Sequence, residues 1–151
     1  MLYGGVMAKV KPLVSATATV KIPFHDVDLM AVAWHGHYVK YFEVARCVLL
    51  DKIGYNYPEM RDSGFAWPVV DLHIRYPGPA RFRETISVEA GIVEWENRLR
   101  IAYTARNSEG KRITFGHTDQ VAVNIATGAM ELATPPVLKQ KLAPWLAESS
   151  L

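Results

Sequence analysis

The chain has few cysteines, no long apolar run and little net charge, and each absence excludes a class of protein. Its one cysteine, Cys47, excludes an intrachain disulfide framework and a zinc site built from several cysteines. No apolar run reaches the ~18–20 residues that a membrane-spanning helix needs. The net charge is only +2 and the basic residues are scattered, which argues against nucleic-acid binding. We therefore expect an enzyme or a binding protein without a membrane span, a metal or a cofactor.

The composition is that of an ordinary globular domain. The chain has 151 residues, of which 50% are hydrophobic and 21% are charged, so one domain with a sizeable core is expected. Cys47 lies in an apolar run and is predicted to be a small core residue. Residues 1–14 lack the apolar core and cleavage site of a signal peptide. We expect them to form a loose N-terminal segment, and we expect a cytoplasmic protein.

Hydrophobic periodicity predicts a strand followed by a long helix. Apolar and polar residues alternate from Ala16 to Phe24, as in a half-buried strand. A helical period replaces the alternation from Tyr38 to Ile53, and Gly54 is a suitable stop. Because this helix is apolar on most sides, other elements must largely wrap it. A connector follows, in which Pro58 begins a short helical turn.

Four more strand-like runs follow, starting near residues 70, 86, 99 and 113. Short turns separate them, which favours antiparallel neighbours. The pattern ends at Thr134-Pro135-Pro136, and residues 136–151 are expected to be a C-terminal tail that is weakly structured at best. The order β-α-β-β-β-β predicts an α+β hotdog fold, in which a five-stranded antiparallel sheet wraps around one long central helix. We assign this domain to residues 15–135.

The most informative segment runs from Phe24 to Arg46. It brings two carboxylates, Asp26 and Asp28, and two histidines, His35 and His37, next to the start of the predicted helix. Ionisable groups beside a helix N-terminus suit acid, base or nucleophilic chemistry on a carbonyl group. The residue types alone are equally compatible with a polar loop that contains one helix cap and two ordinary histidines.

This segment resembles the acyl-CoA thioesterases of the 4-hydroxybenzoyl-CoA thioesterase family. The shared pattern is an aromatic residue, then Asp-x-Asp, then His-x-x-Tyr leading into the helix, here Phe24, Asp26-Val27-Asp28 and His35-Gly36-His37-Tyr38. Two later segments, Tyr76-Pro77-Gly78-Pro79-Ala80 and Gly116-His117-Thr118, are similar to the family's strand junctions. The resemblance covers residues 15 to 130 and implies the hotdog fold. It also implies hydrolysis of an acyl or aryl thioester of coenzyme A, or of an acyl carrier protein.

The resemblance also implies roles for individual residues. Asp28 would be the attacking group, either as a nucleophile or as the general base for water. Backbone N–H groups at His35, Gly36 and His37 would form the oxyanion site, because a helix start leaves such groups without partners. The His35 side chain would orient the thioester or handle protons. Tyr38 would support the start of the helix.

Other residues of interest have simpler explanations beside them. Trp34 and Trp67 are candidates for a substrate pocket, although large aromatics more often lie in a core or an interface. Asp26 is expected to hold its loop. His73 and His117 lie in predicted strands and are read as ordinary sheet residues.

The chain departs from the family pattern at three positions. Ala31 stands where the family usually has glycine, Ala33 where valine is common, and Phe24 where part of the family has tyrosine. The methyl group of Ala31 would affect the loop that carries Asp28 if position 31 needs a positive φ.

Assembly and partners follow from the same resemblance. A sheet of five strands leaves long edges, and family members pair two sheets edge to edge, so a homodimer or homotetramer is expected. The phosphates of coenzyme A would need local basic residues, for which the candidates are Arg75, Arg81, Arg83, Arg98, Arg100 and Arg106. A hotdog protein that binds an acyl group or a carrier protein without catalysis is the alternative. A hotdog dehydratase is disfavoured, because the sequence has no second loop with an acidic residue and a histidine.

Overall fold

The computed structural model describes residues 10–149. Within this range the strands are β1 (Val14–Lys21), β2 (Phe65–Ala66), β3 (Val69–Arg75), β4 (Thr85–Glu94), β5 (Leu99–Arg106), β6 (Arg112–Gln120) and β7 (Val123–Asn124). The helices are α1 (Tyr38–Lys52), α2 (Tyr57–Asp62) and α3 (Pro136–Ser149). Two single 3-10 turns, Phe24–Asp26 and His35–His37, lie between β1 and α1.

One antiparallel sheet contains five of these strands, in the order β1-β4-β5-β6-β3. The helix α1 packs across β1 and β4, and β2 pairs separately with β7. On the face towards α1, the ring of Tyr103 stacks on the ring of Phe42 with centroids 4.4 Å apart. This is the α+β architecture that the sequence predicts, with its core between the sheet and the long helix.

The helix α1 is amphipathic, and the described residues cover only one of its faces. Residues at helical spacing are buried on that face, namely Tyr38, Tyr41, Phe42, Ala45 and Leu49. The helix ends just before Gly54, whose φ of +71° suits glycine at the position after a helix cap. The opposite face leaves apolar side chains about two-fifths exposed, namely Val39, Val44 and Val48. The wrapping on most sides that the sequence predicts is therefore incomplete in a single chain.

The edge strand β3 is also apolar and uncovered. Val69, Val70 and Leu72 keep 42%, 58% and 40% of their surface exposed. In the sheet formed by residues 10–149, β3 pairs with β6 alone and is therefore an edge strand. Strand β3 and the open face of α1 are thus two apolar surfaces that residues 10–149 do not cover.

Two predictions from the sequence are wrong. Cys47 is exposed, because it lies on the side of α1 that faces away from the core and not with the buried residues of the same apolar run. Residues 136–149 are not a weakly structured tail but form α3. Leu138 and Leu142, one helical turn apart, are fully buried and hold this helix on the core.

The structure describes only part of the predicted loose N-terminal segment. Of the predicted loose segment 1–14, residues 1–9 lie outside the described residues, and β1 begins at Val14. The predicted helical turn at Pro58 is α2, which Asn56 and Glu59 cap reciprocally. Between residues 10 and 149, no helix is long and apolar enough to cross a membrane.

Candidate active site

Asp26 anchors the loop between β1 and α1. Its carboxylate is 1% exposed and accepts hydrogen bonds of 2.7 Å from Lys40 Nζ and from Tyr41 Oη, both on α1. Its backbone carbonyl accepts a bond of 2.9 Å from the N–H of Trp34. Burial alone would raise the pKa of Asp26, but the bonds from Lys40 and Tyr41 outweigh it and lower the pKa below the ordinary value of 3.8. Asp26 therefore holds the loop on the helix, as the sequence predicts.

Asp28 lies at the exposed tip of the same loop. Its Oδ1 accepts a bond of 2.8 Å from the N–H of Met30, and its own N–H donates to the carbonyl of Val32 at 3.0 Å. Among residues 10–149, no donor is bound to Oδ2. The turn requires a left-handed residue at Ala31, where φ is +61°. The methyl group that distinguishes this chain from the family pattern thus lies in a conformation that favours glycine.

The turn at His35–His37 leads directly into α1. The N–H of His37 donates to the carbonyl of Trp34 at 2.9 Å and closes the turn. Within the described part of the chain, the N–H groups of His35 and Gly36 have no acceptor, and the side chain of Trp34 does not cap them. Such groups carry the positive end of the helix dipole. The predicted set of oxyanion donors therefore loses His37 and keeps His35 and Gly36.

Gly36 and Trp34 fit closely together. A Cβ atom on Gly36 would lie only 2.1 Å from a ring carbon of Trp34, so the indole covers the glycine. The same indole contacts the rings of His35 and His37, with centroids 4.8 and 5.4 Å away. Position 36 thus needs glycine as long as the tryptophan keeps this orientation.

Tyr76, which directly follows β3, contacts this turn from the other side. Its hydroxyl donates to the carbonyl of His35 at 3.0 Å, and its ring meets the edge of the Tyr38 ring at 5.3 Å. Tyr38 is buried, and its hydroxyl accepts the N–H of Ala80 at 3.1 Å. A pocket of about 330 Å³ opens between this cluster and Pro77. The sequence indicated Tyr76 only as part of a strand junction, because its partner is 41 residues away.

A larger apolar cavity lies elsewhere on the chain. It has a volume of about 640 Å³, and its walls include Leu50, Met60, Phe65 and Trp67. Trp67 is 7% exposed and donates from Nε1 to the hydroxyl of Tyr55 at 3.1 Å. Neither Asp28 nor Trp34 lines this cavity. The two predicted pocket tryptophans are therefore in different places within one chain.

The strand histidines form a cluster that sequence reasoning missed. The rings of His73 and His117 stack at 4.8 Å, and Asp71 joins them so that one ligand atom from each lies within 4.8 Å of the others. His117 pairs in the sheet with Ala102, whose neighbour Tyr103 faces α1. The cluster consequently lies on the opposite face of the sheet, away from the turn at His35–His37. A metal ion could bind there, and only the strand register reveals it.

Four of the six candidate phosphate ligands form two contrasting pairs, and Arg106 donates to the carbonyl of Gly110 at 3.3 Å. Arg98 and Arg100 both bind the carboxylate of Asp119, with Arg100 making two bonds of 2.7 and 2.8 Å. Arg81 and Arg83 instead border an open cleft of about 650 Å³ beside Gly78 and Pro79. Arginines that a carboxylate already holds are poorer phosphate ligands, so the second pair is the better candidate.

Comparison with known proteins identifies the family. The model of the thioesterase-like superfamily matches residues 22–147, and the chain therefore belongs to this superfamily. A Synechocystis protein provisionally named an esterase is 28% identical over 130 residues, covering 82% of this chain and 75% of the relative. The Bacillus subtilis protein YneP, provisionally named an acyl-CoA thioesterase, is 30% identical over 76 residues, covering 50% of this chain and 55% of the relative.

The solved structures agree with the fold. The DHNA-CoA thioesterase from Staphylococcus aureus has a TM-score of 0.79 at 24% identity, with 90% of this chain and 93% of that chain covered. The family, the hotdog fold and the thioesterase class predicted from the sequence are thereby confirmed. The family match extends to residue 147 and so includes most of α3.

Proposed function

We propose that the chain hydrolyses an acyl or aryl thioester of coenzyme A, or of an acyl carrier protein, to a free acid and a thiol. The names of YneP and of the Staphylococcus aureus thioesterase support this substrate class. The observation that carries the proposal is the loop itself. Considering residues 10–149 alone, it combines a carboxylate with one unengaged oxygen, on Asp28, and two N–H groups without acceptors, on His35 and Gly36.

The chemistry needs an attacking group and a stabilised oxyanion. As a nucleophile, Asp28 forms a C–O bond to the thioester carbon, the C–S bond breaks, and the thiolate leaves. Water then hydrolyses the mixed anhydride. As a general base, Asp28 takes a proton from the water that attacks the carbon directly. In both cases the N–H groups of His35 and Gly36 bind the oxyanion, and one such donor contributes about 3–4 kcal/mol in the transition state. The His35 side chain orients the thioester or transfers protons.

The direct test is a thiol-release assay with coenzyme A thioesters of increasing acyl length and with aryl thioesters. The wild type should hydrolyse at least one of them, and Asp28→Asn should lower turnover by at least about a hundredfold. The matched control is Asp62→Asn, which changes an exposed aspartate of α2. Tight binding of the same thioesters without any thiol release would support the non-catalytic acyl-binding alternative instead.

We also propose that the active form is at least a homodimer, and that it can be a homotetramer. The apolar residues exposed on β3 and on the open face of α1 support this, because the described part of one chain leaves both surfaces uncovered. A second chain would also bring a cavity with Trp67 towards the loop with Asp28 and Trp34. Leu72→Lys should shift the wild-type assembly to monomer in sedimentation, whereas Leu132→Lys, on an 89% exposed residue outside β3, should not. If the wild type is a monomer at micromolar concentration, a site formed by two chains is excluded.

The salt dependence of KM can show whether the acyl group is delivered by coenzyme A or by an acyl carrier protein. If Arg81 and Arg83 bind the nucleotide phosphates, the KM for acyl-CoA should rise with ionic strength more than the KM for acyl-pantetheine, which lacks the nucleotide. Equal salt dependence would favour an acyl carrier protein as the donor. We also propose a cytoplasmic location.

A further inference from the structure

We propose that Tyr76 is a positioning residue for thioester hydrolysis, and that its hydroxyl aims the oxyanion donors by holding the carbonyl of His35. The inference rests on the proposed function and assigns a role to a residue on a different element, just after the edge strand β3. Tyr76 need not touch the substrate. It acts through the peptide between His35 and Gly36.

The geometry of the peptide bond connects the hydroxyl of Tyr76 to the N–H of Gly36. The hydroxyl of Tyr76 lies 3.0 Å from the carbonyl oxygen of His35. A trans peptide is planar, so the carbonyl of His35 and the N–H of Gly36 lie in one plane and point in opposite directions. Fixing the carbonyl therefore fixes the direction of the Gly36 N–H. It also restrains the backbone of His35, whose own N–H is the second donor.

Tyr76 is 44% exposed, and two ring contacts restrain its side chain. Its ring meets the rings of Tyr38 and His35 edge to face, at 5.3 and 6.2 Å. Tyr38 is only 2% exposed and belongs to the core, and Pro77 limits the backbone on the other side. Burial, and then the nearby Tyr38, raise the pKa of Tyr76. Its hydroxyl is consequently protonated, and can donate, near neutral pH.

Among residues 10–149, no other side chain binds the carbonyl of His35. The side chain of Trp34 provides no cap, and its indole covers Gly36 from above. The turn is thus held between an indole against Gly36 and a hydroxyl on His35. A misplacement of about 1 Å near reacting atoms can lower a rate about a hundredfold, so a partial loss of orientation should have a smaller but measurable effect. A hydrogen bond to the carbonyl also polarises the amide and strengthens its N–H as a donor.

Tyr76→Phe removes the donor and keeps the ring. It should lower kcat by about tenfold while KM changes less than about twofold, because the oxyanion forms only in the transition state. The decrease should be similar for short and long acyl groups. Replacing Tyr76 with p-aminophenylalanine, which keeps an N–H donor on the same ring, should restore most of kcat.

The matched control removes another hydroxyl-to-carbonyl bond far along the chain. Thr134 donates from Oγ1 to the carbonyl of Trp95 at 2.6 Å. Thr134→Val should lower stability without changing kcat. In NMR spectra, Tyr76→Phe should shift the amide resonance of Gly36 and Thr134→Val should leave it unchanged.

The outcomes separate this inference from the function on which it rests. If the wild type is active and Asp28→Asn is not, but Tyr76→Phe keeps the wild-type kcat, the positioning role is refuted and the thioesterase remains. A decrease in kcat that the amino variant does not restore, with an unchanged Gly36 amide, would make Tyr76 merely structural and also refute it. A wild type without thioester hydrolysis would overturn the proposed function itself.

Discussion

Asparagine substitutions at Asp26 and Asp28 are expected to separate stability from activity, although the two residues are neighbours in one short motif. The Asp28 carboxylate is exposed, and its one bond, from the N–H of Met30, can be accepted equally well by an asparagine oxygen. Asp28→Asn should therefore change the free energy of unfolding by less than about 0.5 kcal/mol. Its effect on thioester hydrolysis should be a loss of at least about a hundredfold.

Asp26 gives the opposite expectation. Its buried carboxylate binds Lys40 with one oxygen and Tyr41 with the other, and an asparagine has only one acceptor oxygen. A hydrogen bond to a charged group contributes about 1.5–3 kcal/mol, so Asp26→Asn should destabilise the protein by about 2–3 kcal/mol. Lys40 is half exposed and can return to water, which keeps the loss below that of a fully buried broken pair. For a chain of this size the melting temperature should fall by about 5–10 °C.

Thermal unfolding and thiol release, measured on both variants, test this pair of expectations. At a temperature where both are folded, Asp26→Asn should retain far more activity than Asp28→Asn. An Asp28→Asn protein with near-wild-type turnover on the best substrate would show that the proposed attack is wrong. An Asp26→Asn protein that melts with the wild type would show that the bonds to α1 contribute nothing to stability.

Three further predictions concern stability. The pKa of Asp26 is lowered in the folded protein, so its contribution is complete above the unfolded value of 3.8 and is lost as pH falls through the lower folded value. In acid titrations of unfolding, the wild type should thus lose more stability than Asp26→Asn. Ala31→Gly should stabilise by up to about 1 kcal/mol in urea unfolding, because a left-handed alanine is strained by ~1–2 kcal/mol and glycine's chain entropy offsets only part of that. Leu138→Ala should lower the free energy of unfolding by about 2–5 kcal/mol, because Leu138 packs α3 on the core. An unchanged urea midpoint would show that α3 does not belong to the core.

Local periodicity predicted most elements of this fold, because a strand or helix with a buried face records that face in the sequence, whereas β3 alternates in sequence and is exposed on both faces. The alternation in β1 and the spacing from Tyr38 to Leu49 are of this kind. Periodicity is less informative where an apolar run covers several faces of a helix. Cys47 belongs to such a run, and the sequence alone does not show which side of the helix packs on the sheet.

Contacts between distant segments could not be predicted in this way. The bond from Tyr76 to His35 and the pairing of His73 with His117 depend on where strand ends and strand registers fall in space. The family pattern indicated Asp28 and His35 without them. It did not reveal that the N–H of His37 is used within its turn, because that is a property of the backbone conformation.

The proposed dimer surface and the proposed positioning residue are adjacent at the end of β3. The uncovered edge of β3 is the surface that a second chain would cover, and the next residue along the chain is Tyr76, which holds His35. A dimer that orders β3 would therefore also order the start of the oxyanion turn, in addition to bringing a second cavity close. Under this reasoning, Leu72→Lys should lower kcat together with dimer content, although Leu72 lies in β3 and outside the loop that carries Asp28. If the separated chains kept the wild-type kcat, the edge strand would serve assembly alone, and the support of Tyr76 would be complete within a single chain.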